Sequence, residues 1–271
     1  MCYNVITVKD RRKSKKLERY SLMRIVIFDT ETTNLERPFC YNIGYAIFDT
    51  ETGENLVEKD FVVEQVWHNI PLFSSAYYAD KRPLYVDRMR AKKAVLKKYG
   101  RITQEMCRDF KNFNVVGAYA YNSPFDDKVF NFNCEWYKCI NPFDNIPIFD
   151  IRGYVHNKIA FTAEYQEFCE TNNLFTESGN YSTTAEALFK YISKQIDFTE
   201  EHTALSDSKI ETEILKYCVS LGAKYQTDYT VYRSVPRKVE KELNIYINGE
   251  LENSFTYTKK VNRKDGIYLT V

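Results

Sequence analysis

Histidine is scarce in this sequence. Among 271 residues only His68, His156 and His202 are histidines. A metal cage built from several histidines is excluded by supply. Seven cysteines are present, but none form a C-x-x-C pair, and the nearest two, Cys134 and Cys139, have four residues between them. Neither a disulfide framework nor a zinc site is indicated, and a reducing compartment is the simpler reading. No window approaches eighteen uninterrupted apolar residues, so no membrane-spanning helix is expected. The N-terminus is charged where a secretion signal is apolar. These absences point to a cytoplasmic protein with no membrane partner. There is no internal repeat and no polymerase or helicase motif.

Apolar residues make up 44% of the chain, enough to bury a sizeable core. The net charge is +1, but it is unevenly spread. Residues 1–24 carry a balance of +6 and residues 224–271 a balance of +3, which leaves −8 for the middle. An acidic centre between basic ends suits a protein that gathers cations at one place and meets a polyanion at another. Terminal tails are also often basic without consequence.

Hydrophobic periodicity divides the chain into three parts: a basic leader or arm over 1–22, a main domain over 23–223 and a small β-rich segment over 224–271. The leader has no periodicity. Met23, just before the first strand, is an alternative translation start. Strands are expected at 25–28, 41–49 and 58–66, joined by short turns, with Thr52-Gly53 in one of them. Residues 67–113 read mostly as helix broken at Pro71 and Pro83. Within them 80–101 reads as a basic helix with Leu84, Met89, Val95 and Leu96 on its buried side. Its lysines and arginines form either a solvated face or a guide for a phosphate backbone. A strand at 115–121, a helix at 126–137, a strand at 146–151 and helices near 162–172, 182–196 and 202–221 follow. This order predicts an α/β fold, a mixed β-sheet flanked by helices. After Lys224, Asn248-Gly249 signals a hairpin, and 255–258 and 267–271 offer strands.

Three short patterns carry chemistry. In Phe28-Asp29-Thr30-Glu31-Thr32-Thr33 two carboxylates end a buried strand. Positions i and i+2 of a strand share a face, so Asp29 and Glu31 project together. Such a pair repels unless a cation neutralises it, and hard divalent ions prefer oxygen ligands. Alone, the pattern also fits a capping Asp and a solvated Glu. Asp49-Thr50-Glu51-Thr52 repeats the letters but runs into Gly53, and reads as a turn. In Asn122-Ser-Pro-Phe125-Asp126-Asp127 a strand gives way to a helix. A lone acid there is equally a cap favoured by the helix dipole. In His202-Thr-Ala-Leu-Ser-Asp207 a histidine precedes an acid at a helix start. Histidine suits proton transfer near neutrality, though a lone one is commonly a surface or capping residue.

Taken in series, F-D-T-E-T-T, N-x-x-F-D after a strand and H-x-A-x-x-D opening a late helix resemble the DEDDh 3′–5′ exonucleases of the RNase H-like superfamily. The likeness is nearest to the proofreading subunits of bacterial replicative polymerases and covers about residues 24–222. The resemblance implies that Asp29, Glu31, Asp126 and Asp207 hold two Mg²⁺ or Mn²⁺ ions. It implies that His202 is the catalytic base, and that Thr30, Thr32, Thr33, Asn122 and Phe125 lie beside the substrate. Asp126 is preferred over Asp127 by the N-x-x-F-D spacing. Asp150 matches a structural acid of the family, and Glu211, one turn past Asp207, reads as a solvated helix position sooner than as a support of the site. The implied reaction is hydrolysis of terminal phosphodiesters at single-stranded 3′ ends of DNA or RNA, releasing nucleoside 5′-monophosphates. The 18 Phe and 22 Tyr supply possible stacking platforms. The implied partner is a polymerase or a second copy of the chain. Two alternatives stand beside this: an RNA-trimming exoribonuclease of the same family, and a non-catalytic nucleic-acid-binding accessory module.

Overall fold

The computed structural model describes residues 23–247 and 250–260. The basic arm at 1–22, the Asn248-Gly249 turn and the strand expected at 267–271 lie outside the described residues.

Six strands form one mixed sheet: β1 (Arg24–Thr32), β2 (Cys40–Asp49), β3 (Asn55–Val63), β4 (Val95–Lys97), β5 (Val115–Ala120) and β6 (Ile148–Asp150), in the order β4-β3-β2-β1-β5-β6. The β1-β2-β3 meander is antiparallel, whereas β4 joins β3, β5 joins β1 and β6 joins β5 in parallel. The parallel pairs need crossovers, and helices supply them.

Alternation along β1 divides the core in two. Val26 and Phe28 point into one cluster, Ile25 and Ile27 into the other. The first cluster is covered by α1 (Glu64–Trp67), α2 (Ile70–Phe73), α3 (Arg82–Arg90), α4 (Tyr99–Asn112) and α5 (Ser123–Tyr137). The second is covered by α6 (Ile151–Lys158), α7 (Ala163–Thr171), α8 (Ala185–Ser193) and α9 (Ala204–Ser220). The result is a helix–sheet–helix sandwich with β1 and β2 at its centre.

Gly44 sets the tightest contact in this sandwich. It pairs with Asp29 across the β1–β2 ladder. A Cβ there would lie 2.0 Å from the Leu205 backbone nitrogen. Only glycine allows the first turn of α9 to sit directly on β2, beside the end of β1.

Three sequence expectations are corrected. The basic stretch 80–101 is not one helix. A 3-10 turn (Ala79–Lys81) leads into α3, which ends at Arg90, and Lys92 adopts a left-handed conformation at φ 57°. The chain then pairs with β3 as β4, and Val95 is exposed rather than buried. Three residues are too few to carry a period, so only the partner strand defines β4. The second correction is at 146–151, where the strand is only 148–150. Asp150 accepts a hydrogen bond from the Arg152 amide at 2.9 Å and caps α6, a helix that a continuous apolar run conceals. The third strand also runs earlier than expected, because Glu64–Trp67 is helical.

Beyond α9 the segment 223–237 lies along β5 and α6. Gln226 and Thr227 amides donate to the hydroxyls of Tyr119 and Tyr154, and the Tyr232 amide donates to His156 Nδ1 at 2.8 Å. An antiparallel hairpin, β7 (Lys238–Ile247) and β8 (Glu250–Lys260), follows as a separate two-stranded sheet. Among the described residues no helix is long and apolar enough to cross a membrane.

Candidate active site

Three element ends meet at the C-terminal edge of β1. Asp29 and Glu31 leave the sheet there, where the ladder with β2 shifts register between Glu31 and Thr32. Asp126 enters from the first turn of α5 and accepts a 2.6 Å hydrogen bond from the Thr30 hydroxyl. Asp207 enters from the first turn of α9, which Gly44 lets approach. His202 precedes α9 and is bent toward the acids by a left-handed backbone at φ 50°. Its Nδ1 lies 3.6 Å from Glu200 and 4.0 Å from Asp207. Ligand atoms of Glu31, His202 and Asp207 all fall within 4.8 Å of one another.

The electrostatics are those of a site short of positive charge. Burial, then the charges of Asp126, Glu211, Asp207 and Glu31, raises the Asp29 carboxyl well above the usual range. Burial and the charge of Asp207 push Glu31 up to about 8, although Lys81 and the Tyr41 hydroxyl pull the other way. Burial pushes Asp126 to about 7 against the Thr30 bond, and burial with Glu200 pushes Asp207 to about 8. Asp207 Oδ1 and Glu211 Oε2 are buried without a hydrogen-bond partner. Orphaned buried carboxylate oxygens are what a divalent cation would neutralise. This set of oxygen donors fits a hard metal ion.

His202 is fixed by neighbours that lie far from it in sequence. Tyr78 stacks on its ring at 4.5 Å and 14°. Burial and nearby Lys81 lower its pKa, so it is neutral and able to accept a proton at neutral pH. Lys81 also donates to the Glu201 carbonyl at 2.7 Å. The buried Asn42 side chain accepts from the Ala204 amide at 2.8 Å and donates to Asp60 at 2.6 Å. Arg88 binds Asp60 through Nε and Nη2 and reaches Glu201 through Nη1 at 3.0 Å. Lys81 and Arg88 belonged to the expected basic helix, yet in the fold they clamp the His202 loop. Arg88→Ala is expected to lower stability by about 3–5 kcal/mol, because it strands the fully buried Asp60 carboxylate. Urea denaturation checks this, and a loss below about 1 kcal/mol would show that Asp60 finds another partner.

The remaining sequence-predicted residues are placed as follows. Thr32 is half-buried and Thr33 buried at the strand end, with the Thr33 amide bonded to the Phe39 carbonyl. Asn122 is exposed in a left-handed turn before α5, its amide donating to Asp150 at 3.0 Å. Phe125 is half-buried against the first core cluster. Asp150 thus joins the α5 and α6 starts, in keeping with a structural acid. Asp126 and not Asp127 is the buried member of its pair. Glu211 is only 3% exposed, which overturns its reading as a solvated helix position. Tyr78, Lys81 and the Asn42–Asp60–Arg88 relay carried no local signal, because each acts across the sheet from a separate element.

No protein-family model matches the sequence, and no curated protein matches it significantly. Solved structures do match the fold. The nuclease domain of 3′hExo, a DEDDh family member bound to rAMP, is 14% identical, with a TM-score of 0.50 over 79% of this chain and 98% of its own. Exonuclease I is 15% identical, with a TM-score of 0.50 over 73% of this chain and 43% of its own. E. coli Exonuclease I in complex with a dA16 oligonucleotide overlaps with the same coverage and identity at a TM-score of 0.46. The mixed six-stranded sheet, its flanking helices and this likeness together show that the chain has the same α/β fold as the 3′hExo nuclease domain.

Proposed function

We propose that this chain is a metal-dependent 3′–5′ exonuclease that removes nucleoside 5′-monophosphates from single-stranded nucleic acid. The observation that carries the reading is the cluster of Glu31, His202 and Asp207, whose ligand atoms lie within 4.8 Å of one another, with the buried charges of Asp29 and Asp126 bearing on the same acids. The catalytic unit is 23–223, flanked by 1–22 and 224–271. Asp29, Glu31, Asp126 and Asp207 hold the two ions, Mg²⁺ or Mn²⁺. When bound, such a pair activates the attacking water and stabilises the leaving 3′-oxygen.

His202 faces Glu200 and Asp207 with Nδ1, which leaves Nε2 to take the proton of the attacking water. Tyr78 stacking and the Ala204–Asn42 bond hold the ring in place, so little reorganisation is needed at the moment of reaction. Thr30 keeps Asp126 in its rotamer. Thr32, Thr33, Asn122 and Phe125 line the approach of the terminal nucleotide. DNA and RNA differ here only in the 2′-hydroxyl that the approach must accommodate.

The test is degradation of 5′-labelled single-stranded DNA and RNA oligonucleotides with Mg²⁺ or Mn²⁺. A ladder shortening from the 3′ end, stopped by EDTA, is expected. His202→Ala is expected to slow it by about 10²–10⁴-fold, the usual contribution of a positioned base. Nucleic-acid binding without any cleavage by the unaltered protein would leave a non-catalytic clamp instead.

A further inference from the structure

A buried carboxylate is costly unless it is paired or hydrogen-bonded. Elsewhere this chain meets that requirement. Asp60 is gripped by Arg88 and Asn42, and Asp109 by Lys59 and the Tyr45 hydroxyl at 2.8 Å. Apart from the four proposed ion ligands, Glu211 does not meet that requirement. It is 3% exposed, no lysine or arginine pairs with it among the described residues, and its Oε2 has no partner. The charges that bear on it are carboxylates: Asp126 and Asp207 first, then Glu200. Asp29 in turn feels Glu211. The backbone of Tyr121 is the group that favours its charged form.

Glu211 stands one turn beyond Asp207 on α9, and residues four apart share a helix face. That face packs on β1 and β2, where an apolar side chain of the same volume would serve the fold better. A glutamate in this place makes sense if positive charge arrives.

We propose that Glu211 is a fifth carboxylate of the ion site, drawing divalent cations in from behind Asp126 and Asp207, directly or through an ion-bound water. The inference rests on the ion-binding reading above and deepens it. Four ionised acids balance two divalent ions. A fifth gives the loaded site a residual negative charge, so ions bind more tightly, at the cost of a less stable empty protein.

The experiment is calorimetric titration of the metal-stripped full chain with MnCl₂, alongside thermal midpoints with and without Mn²⁺. Unaltered protein, Glu211→Gln, Glu211→Met and Asp207→Asn are compared. Both Glu211 variants are expected to bind Mn²⁺ about tenfold or more weakly, in the range seen for residues supporting a metal site. Their metal-free midpoints are expected to rise by a few degrees, and their gain on adding Mn²⁺ to shrink. Two variants guard against a packing fault peculiar to one. Mn²⁺ affinity unchanged in both, with midpoints lowered, would assign Glu211 to packing and overturn the inference. If Asp207→Asn alone loses Mn²⁺, the ion site stands and only the fifth carboxylate falls. If the unaltered protein binds no Mn²⁺, both fall together.

Discussion

Asp29→Asn is expected to cut nuclease activity by at least about a thousandfold and, at the same time, to make the metal-free protein more stable. On the proposed two-ion mechanism, losing an ion removes several kcal/mol of transition-state stabilisation. Each 1.36 kcal/mol is a factor of ten in rate. The opposite sign for stability follows from the environment of Asp29. Burial and four neighbouring acids disfavour its charge in the folded chain, and an amide of the same shape carries none. A residue that merely capped the strand end would lose stability without a matching gain elsewhere. Asp49→Asn is the control, because Asp49-Thr-Glu-Thr repeats the letters of Asp29-Thr-Glu-Thr. Asp49 accepts bonds from the amides of Glu51 and Thr52 in a turn closed by Gly53 at φ 77°. Its substitution should leave activity intact. Oligonucleotide ladders and thermal midpoints in EDTA check both variants. More than a tenth of normal activity in Asp29→Asn would remove Asp29 from the ion site.

The same comparison shows which parts of this site a sequence can reveal. F-D-T-E-T-T, N-x-x-F-D and H-x-A-x-x-D each lie within a few residues of an element boundary, so local periodicity locates them and their order suggests one edge of one sheet. Nothing local distinguishes Asp29 from Asp49 except the glycine four residues on. Glu211 looks solvated on a polar stretch of helix, and only the contact of α9 with the sheet buries it. Asn42, Asp60 and Arg88 lie on three elements, and their charges meet only after β2, β3 and α3 have packed. The contact between Gly44 and Leu205 is likewise a long-range fact, yet it places Asp207 beside Asp29. Thr30, expected beside the nucleotide, already donates its hydroxyl to Asp126. In the fold, α6 and β4 were hidden for different reasons, a continuous apolar run in one case and a strand too short to carry a period in the other.

Stability of the metal-free protein is expected to fall as pH rises from 6.5 to 8, and excess Mn²⁺ is expected to abolish or reverse that fall. Glu31, Asp126 and Asp207 ordinarily titrate near 4, but in the folded chain they are pushed to about 8, 7 and 8. An acid whose folded pKa is raised contributes stability that is complete below its unfolded value and is lost as pH climbs through the folded one. Glu200, raised to about 7, slopes the same way. The paired acids Asp49, Glu58, Glu105 and Glu186 are held low, so above pH 6.5 their contribution is constant. His156, held to about 4 by burial, gives an opposing slope, but only below about 6.5 where the unfolded histidine charges. From 6.5 to 8 the slope therefore comes from the site acids together with Glu200, and substitution of the site acids separates the two. One pKa unit is about 1.36 kcal/mol, and the site acids share their repulsion, so their shifts do not add. A total loss on the order of 3 kcal/mol is expected, read from urea midpoints in EDTA. Glu31→Gln and Asp207→Asn should each flatten the profile. With Mn²⁺ present, deprotonated ligands bind the ions better and stability should hold or rise with pH. A metal-free profile that stays flat or climbs through this window would mean the acids carry their charge without cations, and the pocket would not be an ion site.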